Sequence, residues 1–237
     1  MKNDGQGVAR ETVQETESLR EFISMAVHDL RAPLRAIRLG AQLLQNEGRE
    51  PSPENAARGA RYLTDGADRM EQLIQDLWEY CYEDVRETAF AETVLEDVLR
   101  QACKDLAAEI KTSEAVVTHG DLPVVSGDCA ALLTVMRAVI SNACKFRGEA
   151  PPRIHVSASQ RGSEWTILVQ DNGQGFDKAY KERIFRPFEK LNGKQYPGSG
   201  LGLTLARRII ERHGGDIWAE SSAGHGACIR FTLPAAR

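Results

Sequence analysis

His28 stands beside Asp29 in the run Val27-His28-Asp29-Leu30-Arg31-Ala32-Pro33-Leu34. Imidazole is largely neutral at pH 7, so it can attack as a nucleophile while a neighbouring carboxylate holds its other ring nitrogen. An ordinary surface pair on an exposed helix has the same letters. A second group is Asp171-Asn172-Gly173-Gln174-Gly175. A carboxylate at a strand end can accept from an adenine amino group, and the glycines permit a tight turn with close backbone approach. A plain glycine-rich turn reads the same way. A third is Gly198-Ser199-Gly200-Leu201-Gly202-Leu203, just ahead of an amphipathic helix. Free N–H groups at a helix start attract phosphate, although a loop that happens to end at a helix would share the pattern. A dinucleotide fold is excluded by context, because the segment follows a loop and no βαβ unit surrounds it. The GxxxxGK[ST] loop is also missing. The fourth group is Asn142-Ala143-Cys144-Lys145-Phe146. There the Asn142 carbonyl can ligate Mg²⁺ already held by phosphates, Lys145 can meet phosphate charge and Phe146 can pack on a sugar or base. A helix end with a favourable Lys and an apolar anchor is the plain alternative.

These groups need elements to carry them. Apolar or small residues at Leu19, Ile23, Ala26, Leu30, Pro33, Ile37, Ala41 and Leu44 follow steps of three and four, which predicts one helix. His28 lies two residues from Ala26 and from Leu30, about 160° around the axis from each, so it points away from that stripe. Pro33 removes a backbone donor and can kink the helix. A break follows at Gly48 and Pro51-Ser52-Pro53, with Ser52 as N-cap, Pro53 in the first turn and Glu54 at the positive helix end. The second helix carries Leu63, Ala67, Met70, Ile74, Leu77 and Cys81 in heptad spacing. One hairpin cannot cover both stripes. Pairing with a second copy in a four-helix bundle would, while packing on the C-terminal domain is the alternative.

Beyond Thr88 the pattern changes. It predicts a helix over Thr93–Ile110, a strand over Ala115–Thr118 and a helix over Asp128–Phe146. A strand pair at Arg153–Ser159 and Glu164–Asp171 turns at Gly162. A helix over Ser199–His213 and strands near Asp216–Glu220 and Ala227–Leu233 close the chain. Such a mixture predicts an α+β sandwich with a mixed sheet.

Composition excludes several classes. The 237 residues are 42% hydrophobic and 27% charged, with net charge −4 and pI about 5.8. That balance gives no footing for nucleic acid. No apolar run approaches the roughly 18 residues of a membrane span, and the polar N-terminus lacks a signal peptide. The five scattered cysteines form no CxxC and suit a reducing compartment. Met1 to Ser18 reads as a linker or the end of an incoming helix.

The order of the groups is more specific than any one of them. His-Asp-Leu-Arg-Ala-Pro-Leu resembles the H-box of sensor histidine kinases, and Ser-Asn-Ala-Cys-Lys-Phe their N-box. Asp-Asn-Gly-Gln-Gly resembles the G1 box, Ile184-Phe185-Arg186-Pro187-Phe188 the F-box and Gly-Ser-Gly-Leu-Gly-Leu the G2 box. The chain is thus similar to the dimerisation and GHKL-type ATP-binding domains of that family over residues 19–237. The H-box wording and Tyr196-Pro-Gly-Ser-Gly resemble the kinase modules of phytochrome-like receptors.

This resemblance implies a linker or helix extension over 1–18, a dimerisation and histidine phosphotransfer domain over 19–86 and a catalytic ATP-binding domain over 87–237. It implies ATP with Mg²⁺, adenine on Asp171 near Gly173 and Gly175, and phosphates near Asn142, Lys145 and the Gly198, Ser199, Gly200, Leu201 and Gly202 turn. Residues 177–197 would form a lid, with Phe185 and Phe188 as its apolar latch. A homodimer, an upstream sensor domain, a response-regulator receiver domain as phosphate acceptor and a cytoplasmic location follow. Two positions depart from the family. Ala138 replaces the usual Asn or Glu one turn before Asn142, and Ala32 replaces the Thr or Asn that orients water for phosphatase chemistry. Ala138 also argues against a water-activating ATPase of the same fold. Both departures leave room for a degenerate kinase acting as a dimeric scaffold.

Overall fold

A computed structural model describes residues 4–45, 52–83, 90–191 and 198–236. Its contacts divide the chain into two units, Met1–Trp78 and Glu79–Arg237. The first is an antiparallel hairpin of α1 (Asp4–Leu44) and α2 (Pro53–Tyr82). The N-terminal stretch is helical from Asp4, so it extends α1. The helix runs through Pro33 unbroken. Ser52 caps α2, its Oγ accepting from Asn55 N–H at 3.2 Å. The rest of the expected break, Gly48 and Pro51, lies outside the described residues.

The buried line of the hairpin differs from the expected stripes. It runs through Ala26, Pro33 and Gly40 on α1, and Gly59, Gly66 and Leu73 on α2. A Cβ on Gly40 would come 2.7 Å from the Gly59 carbonyl, and one on Gly66 would come 3.1 Å from the Pro33 carbonyl. The glycines let the backbones close, which pushes larger side chains to the flanks. Leu30, Ile37, Leu63, Met70 and Leu77 are half-buried beside the line. Ile23 (51%), Ile74 (54%) and Trp78 (56%) stay exposed, as do Ala67 and Cys81 of the expected heptad.

The second unit has β1 (Ala91–Val94), α3 (Leu95–Asp105), α4 (Ala107–Ser113), β2 (Val116–His119), β3 (Val124–Gly127) and α5 (Cys129–Lys145). β4 (Arg153–Arg161), β5 (Glu164–Asp171), α6 (Gly202–Arg212), β6 (Ile217–Ser221) and β7 (Ala227–Pro234) follow. Five strands form one sheet in the order β2-β4-β5-β7-β6. Among the described residues, only β2 and β4 of this sheet run parallel. The predicted hairpin turns at Gly162, whose φ of +65° favours glycine.

The helix expected over Thr93–Ile110 is instead β1, α3 and α4. Thr93 and Val94 are β-branched and pair with Val125 and Val124 of β3. Leu106, at φ −94° and ψ 14°, interrupts the helical remainder. Alternate sheet residues, Ile154, Val156, Ile167, Val169, Ile229, Phe231 and Leu233, form one core with Leu95, Val98 and Leu99 of α3, Leu132, Met136 and Ile140 of α5, and Leu205, Ile209 and Ile210 of α6. All five cysteines are free. Burial raises the thiol pKa of Cys103, Cys144 and Cys228, which suits inert packing thiols. Among the described residues, no helix is long and apolar enough to cross a membrane.

Candidate functional site

His28 lies opposite the buried line of α1, and its side chain is 80% exposed. Its Nδ1 is 3.1 Å from Asp29 Oδ1. In the tautomer whose Nδ1–H donates to that carboxylate, Nε2 keeps its lone pair.

In the sandwich, Asp171 ends β5. Its Oδ1 accepts from Gly173 N–H at 2.8 Å and from Ala227 N–H at 3.1 Å. Burial raises the carboxyl pKa, and these two N–H groups partly offset the rise. Ala227 has no signal in the sequence, because it reaches Asp171 only through pairing of β5 with β7. The turn after Asp171 is tightly seated. The Phe146 carbonyl, at the end of α5, accepts from Gln174 N–H at 3.0 Å. A Cβ on Gly173 would come 2.5 Å from that carbonyl, and one on Gly175 would come 2.2 Å from the Ser222 carbonyl. Asn172 faces elsewhere, accepting from Arg153 N–H at 2.6 Å. An open cleft of about 530 Å³ beside Asp171 is lined by Lys178, Lys181, Ser221 and His225, which sequence reasoning did not single out.

Asn142 and Lys145 are half-buried and share a face of α5 with Ala138, at helical spacing. A Cβ on Gly202 would sit 3.6 Å from Ala138 Cβ, so the start of α6 approaches that face. α6 begins at Gly202, three residues later than expected, and no side chain caps it. α5 differs, since Asp128 accepts there from the N–H groups of Ala130 and Ala131. An uncapped first turn leaves N–H groups available to an anion. Ser199 instead stabilises the approach to the helix, its buried Oγ accepting from Leu201 N–H at 3.1 Å.

Phe185 is buried in the core, with the Arg207 guanidinium 5.7 Å from its ring centroid. Phe188 N–H donates to the Gly200 carbonyl at 3.1 Å, and a Cβ on Gly200 would come 2.9 Å from Phe188 Cα. Phe188 itself adopts φ +60°, uncommon for a residue with a side chain. Within the expected lid, Lys178–Tyr180 and Arg183–Phe185 form short 3-10 helices. Residues 192–197 lie outside the described residues.

Among the described residues, no cluster of three His, Cys, Asp or Glu could hold a metal. A lone Asn142 carbonyl therefore fits Mg²⁺ only as a metal carried chiefly by phosphate oxygens.

The site therefore consists of a helical hairpin presenting His28 beside Asp29 and a glycine-boxed α+β sandwich built around Asp171 and the start of α6. Residues 18–80 match the His Kinase A (phospho-acceptor) domain family. Residues 127–237 match the family of histidine kinase-, DNA gyrase B- and HSP90-like ATPases. Cyanobacterial phytochrome A of Nostoc sp. is 35% identical over 228 residues, which are 96% of this chain and 30% of that protein. Histidine kinase ThkA, solved in complex with response regulator protein TrrA, superposes with TM-score 0.75 at 22% identity, over 96% of this chain and 65% of that one. Full-length ShkA in complex with AMPPNP gives TM-score 0.64 at 24% identity, over 92% and 46%. The two solved structures establish the fold alone. The two matches together make this chain a member of the sensor histidine kinase family over its catalytic region. It spans about a third of the length of the phytochrome it matches.

Proposed function

We propose that this chain is the catalytic region of a histidine kinase that transfers the γ-phosphate of ATP to His28 and onward to an Asp of a response-regulator receiver domain. The observation that carries the reading is the outward His28 with its Nδ1 on Asp29. Nε2 attacks the γ-phosphorus, the bond to the bridging oxygen breaks, and ADP leaves with that electron pair. Asp29 takes up the charge that develops on the ring through the Nδ1 hydrogen bond. Asp171 accepts from the adenine amino group, with Gly173 and Gly175 allowing close approach. Asn142, Lys145 and the Gly198–Gly202 turn face the phosphates, Phe146 packs on the nucleoside, and Phe185 with Phe188 anchors the lid. Mg²⁺ with Asn142 would neutralise phosphate charge.

The domain assignment follows the same reading: 1–18 as a helix extension, 19–86 for dimerisation and phosphotransfer, 87–237 for ATP. Exposed Ile23, Ile74 and Trp78 on the hairpin support a homodimer, because a second hairpin would bury them. A sensor domain feeding α1 and a cytoplasmic location complete the reading. Ala32, exposed near His28, supports weak phosphatase activity.

The test incubates the protein with γ-labelled ATP and Mg²⁺, beside His28→Gln. Label that is lost in acid, survives base and is absent from the variant is expected. Label on the variant, or none on the parent despite ATP binding, would overturn the assignment.

A further inference from the structure

Asn142 and Lys145 share one face of α5 with Ala138, and Ala138 brings no polar group to it. The aim of Asn142 then depends on how the last turns of α5 are rotated about their axis. Ser141 and Cys144, both buried, lie about a quarter turn around from that face, on the side packed by α4.

Two residues of α4 hold that side. Ser141 Oγ–H donates to Glu109 Oε2 at 2.7 Å, across 32 positions of sequence. Ser113, one turn on from Glu109, meets the Cys144 thiol. Burial pushes that thiol up, and the hydrogen bond with Ser113 partly offsets the rise. α4 itself has little room to turn. Leu106, just before it, is buried, and Ile110 packs against the core of the sandwich. Ser113 Oγ donates back to the Glu109 carbonyl at 2.8 Å, and Arg147, just past α5, donates to the Ser113 carbonyl at 3.3 Å. The Glu109 bond acts on the residue directly before Asn142. A hydroxyl donating to a carboxylate in partial shelter from water makes one of the stronger hydrogen bonds available to a protein.

We propose that Glu109 is a positioning residue: through Ser141 it fixes the rotation of the end of α5, so that Asn142 and Lys145 are aimed at the phosphates and their metal. The inference rests on the nucleotide reading above and adds to it a residue from outside the glycine boxes. Without the bond, the end of α5 turns or frays and its hold on the phosphates weakens. The adenine contact stays, because Asp171 is carried by β5.

The test uses the full chain with Glu109→Ala, Ser141→Ala, the double variant, and Glu109→Gln, whose amide oxygen can still accept from Ser141. The readouts are affinity for adenosine, which has no phosphates, by ligand-observed NMR, affinity for Mg·ATP by calorimetry, and the initial rate of His28 labelling at saturating Mg·ATP. Each Ala variant is expected to weaken Mg·ATP binding by about fivefold, the scale of one coupled pair, and to leave adenosine binding unchanged. Labelling should slow severalfold, because the γ-phosphate is then held out of line. The double variant should lose no more than either single one, since all three remove the same bond. Glu109→Gln should recover most of the parental affinity. Equal losses for adenosine and Mg·ATP mark a general loosening and overturn the inference. Unchanged Mg·ATP affinity, additive losses in the double variant, or a Glu109→Gln variant that behaves like Glu109→Ala overturn it too. A parent that binds no nucleotide sinks the nucleotide reading and this inference together. A parent that binds Mg·ATP but takes no label sinks the phosphotransfer reading alone, and Glu109 is then judged on the two affinities.

Discussion

The two units solve the problem of burial in opposite ways. The sandwich closes on itself, because alternate strand residues such as Ile154, Val156, Ile167 and Val169 meet the apolar faces of α3, α5 and α6. The hairpin spends its closest contact on small residues, Gly40 against Gly59 and Gly66 against Pro33, and leaves Ile23, Ile74 and Trp78 outside. A self-sufficient core suits a domain that moves as a body. An incomplete one suits a domain whose stability depends on what it pairs with. The candidate residues divide along the same line, with His28 on the incomplete unit and Asp171, Asn142 and the Gly198–Gly202 turn on the complete one.

The largest test of this contrast is Gly59→Leu. Its Cβ would meet the Gly40 carbonyl at 2.9 Å, so the helices must separate. The hairpin transition in calorimetry should fall by the equivalent of about 3 kcal/mol or disappear. The sandwich transition should not move, and a joint loss would break the contrast. Next in size is Asp171→Asn, expected to weaken ATP binding by about tenfold while the protein stays folded, the scale of one hydrogen bond to a charged group. Isothermal titration against pH refines it. The raised carboxyl pKa disfavours the ionised form in the fold, so Asp171 contributes stability at acid pH that is lost as pH rises through the folded value. The proposed adenine contact needs the ionised form as acceptor. Affinity should therefore fall on acidification at a higher pH than an ordinary carboxylate would give, and Asp171→Asn should flatten that dependence. Ile74→Asp comes third. Light scattering should show monomers where the proposed parent dimer is expected, with ATP affinity kept, and an unshifted mass would remove the support this residue gives to pairing. The smallest effect is Ser52→Ala, which loses the cap on Asn55 N–H. About 1 kcal/mol of hairpin stability should go, read from the same calorimetric transition.

The sequence carried the periodic elements and the glycine boxes because both are local. The start of α2 at Ser52-Pro53 and the turn at Gly162 were legible from single residues with one strong preference. β1 and β3 were missed because each has four residues and they pair across thirty or more positions. The buried line of the hairpin was misplaced for a related reason. Hydrophobicity marks where large side chains can go, whereas Gly40, Gly59 and Gly66 mark where backbones meet. At the site, Asp171 and Gly175 could be read directly. The N–H of Ala227 and the uncapped start of α6 could not, since neither depends on residue type.

The spacing of the hairpin's small residues also limits how a push can travel along it. Gly40 faces Gly59, Pro33 faces Gly66, and the same step of seven sets Ala26 level with Leu73. A slide of even one helical rise, about 1.5 Å, would carry each glycine toward a neighbour with a side chain. The pair therefore acts as a keyed shaft that resists displacement along its length.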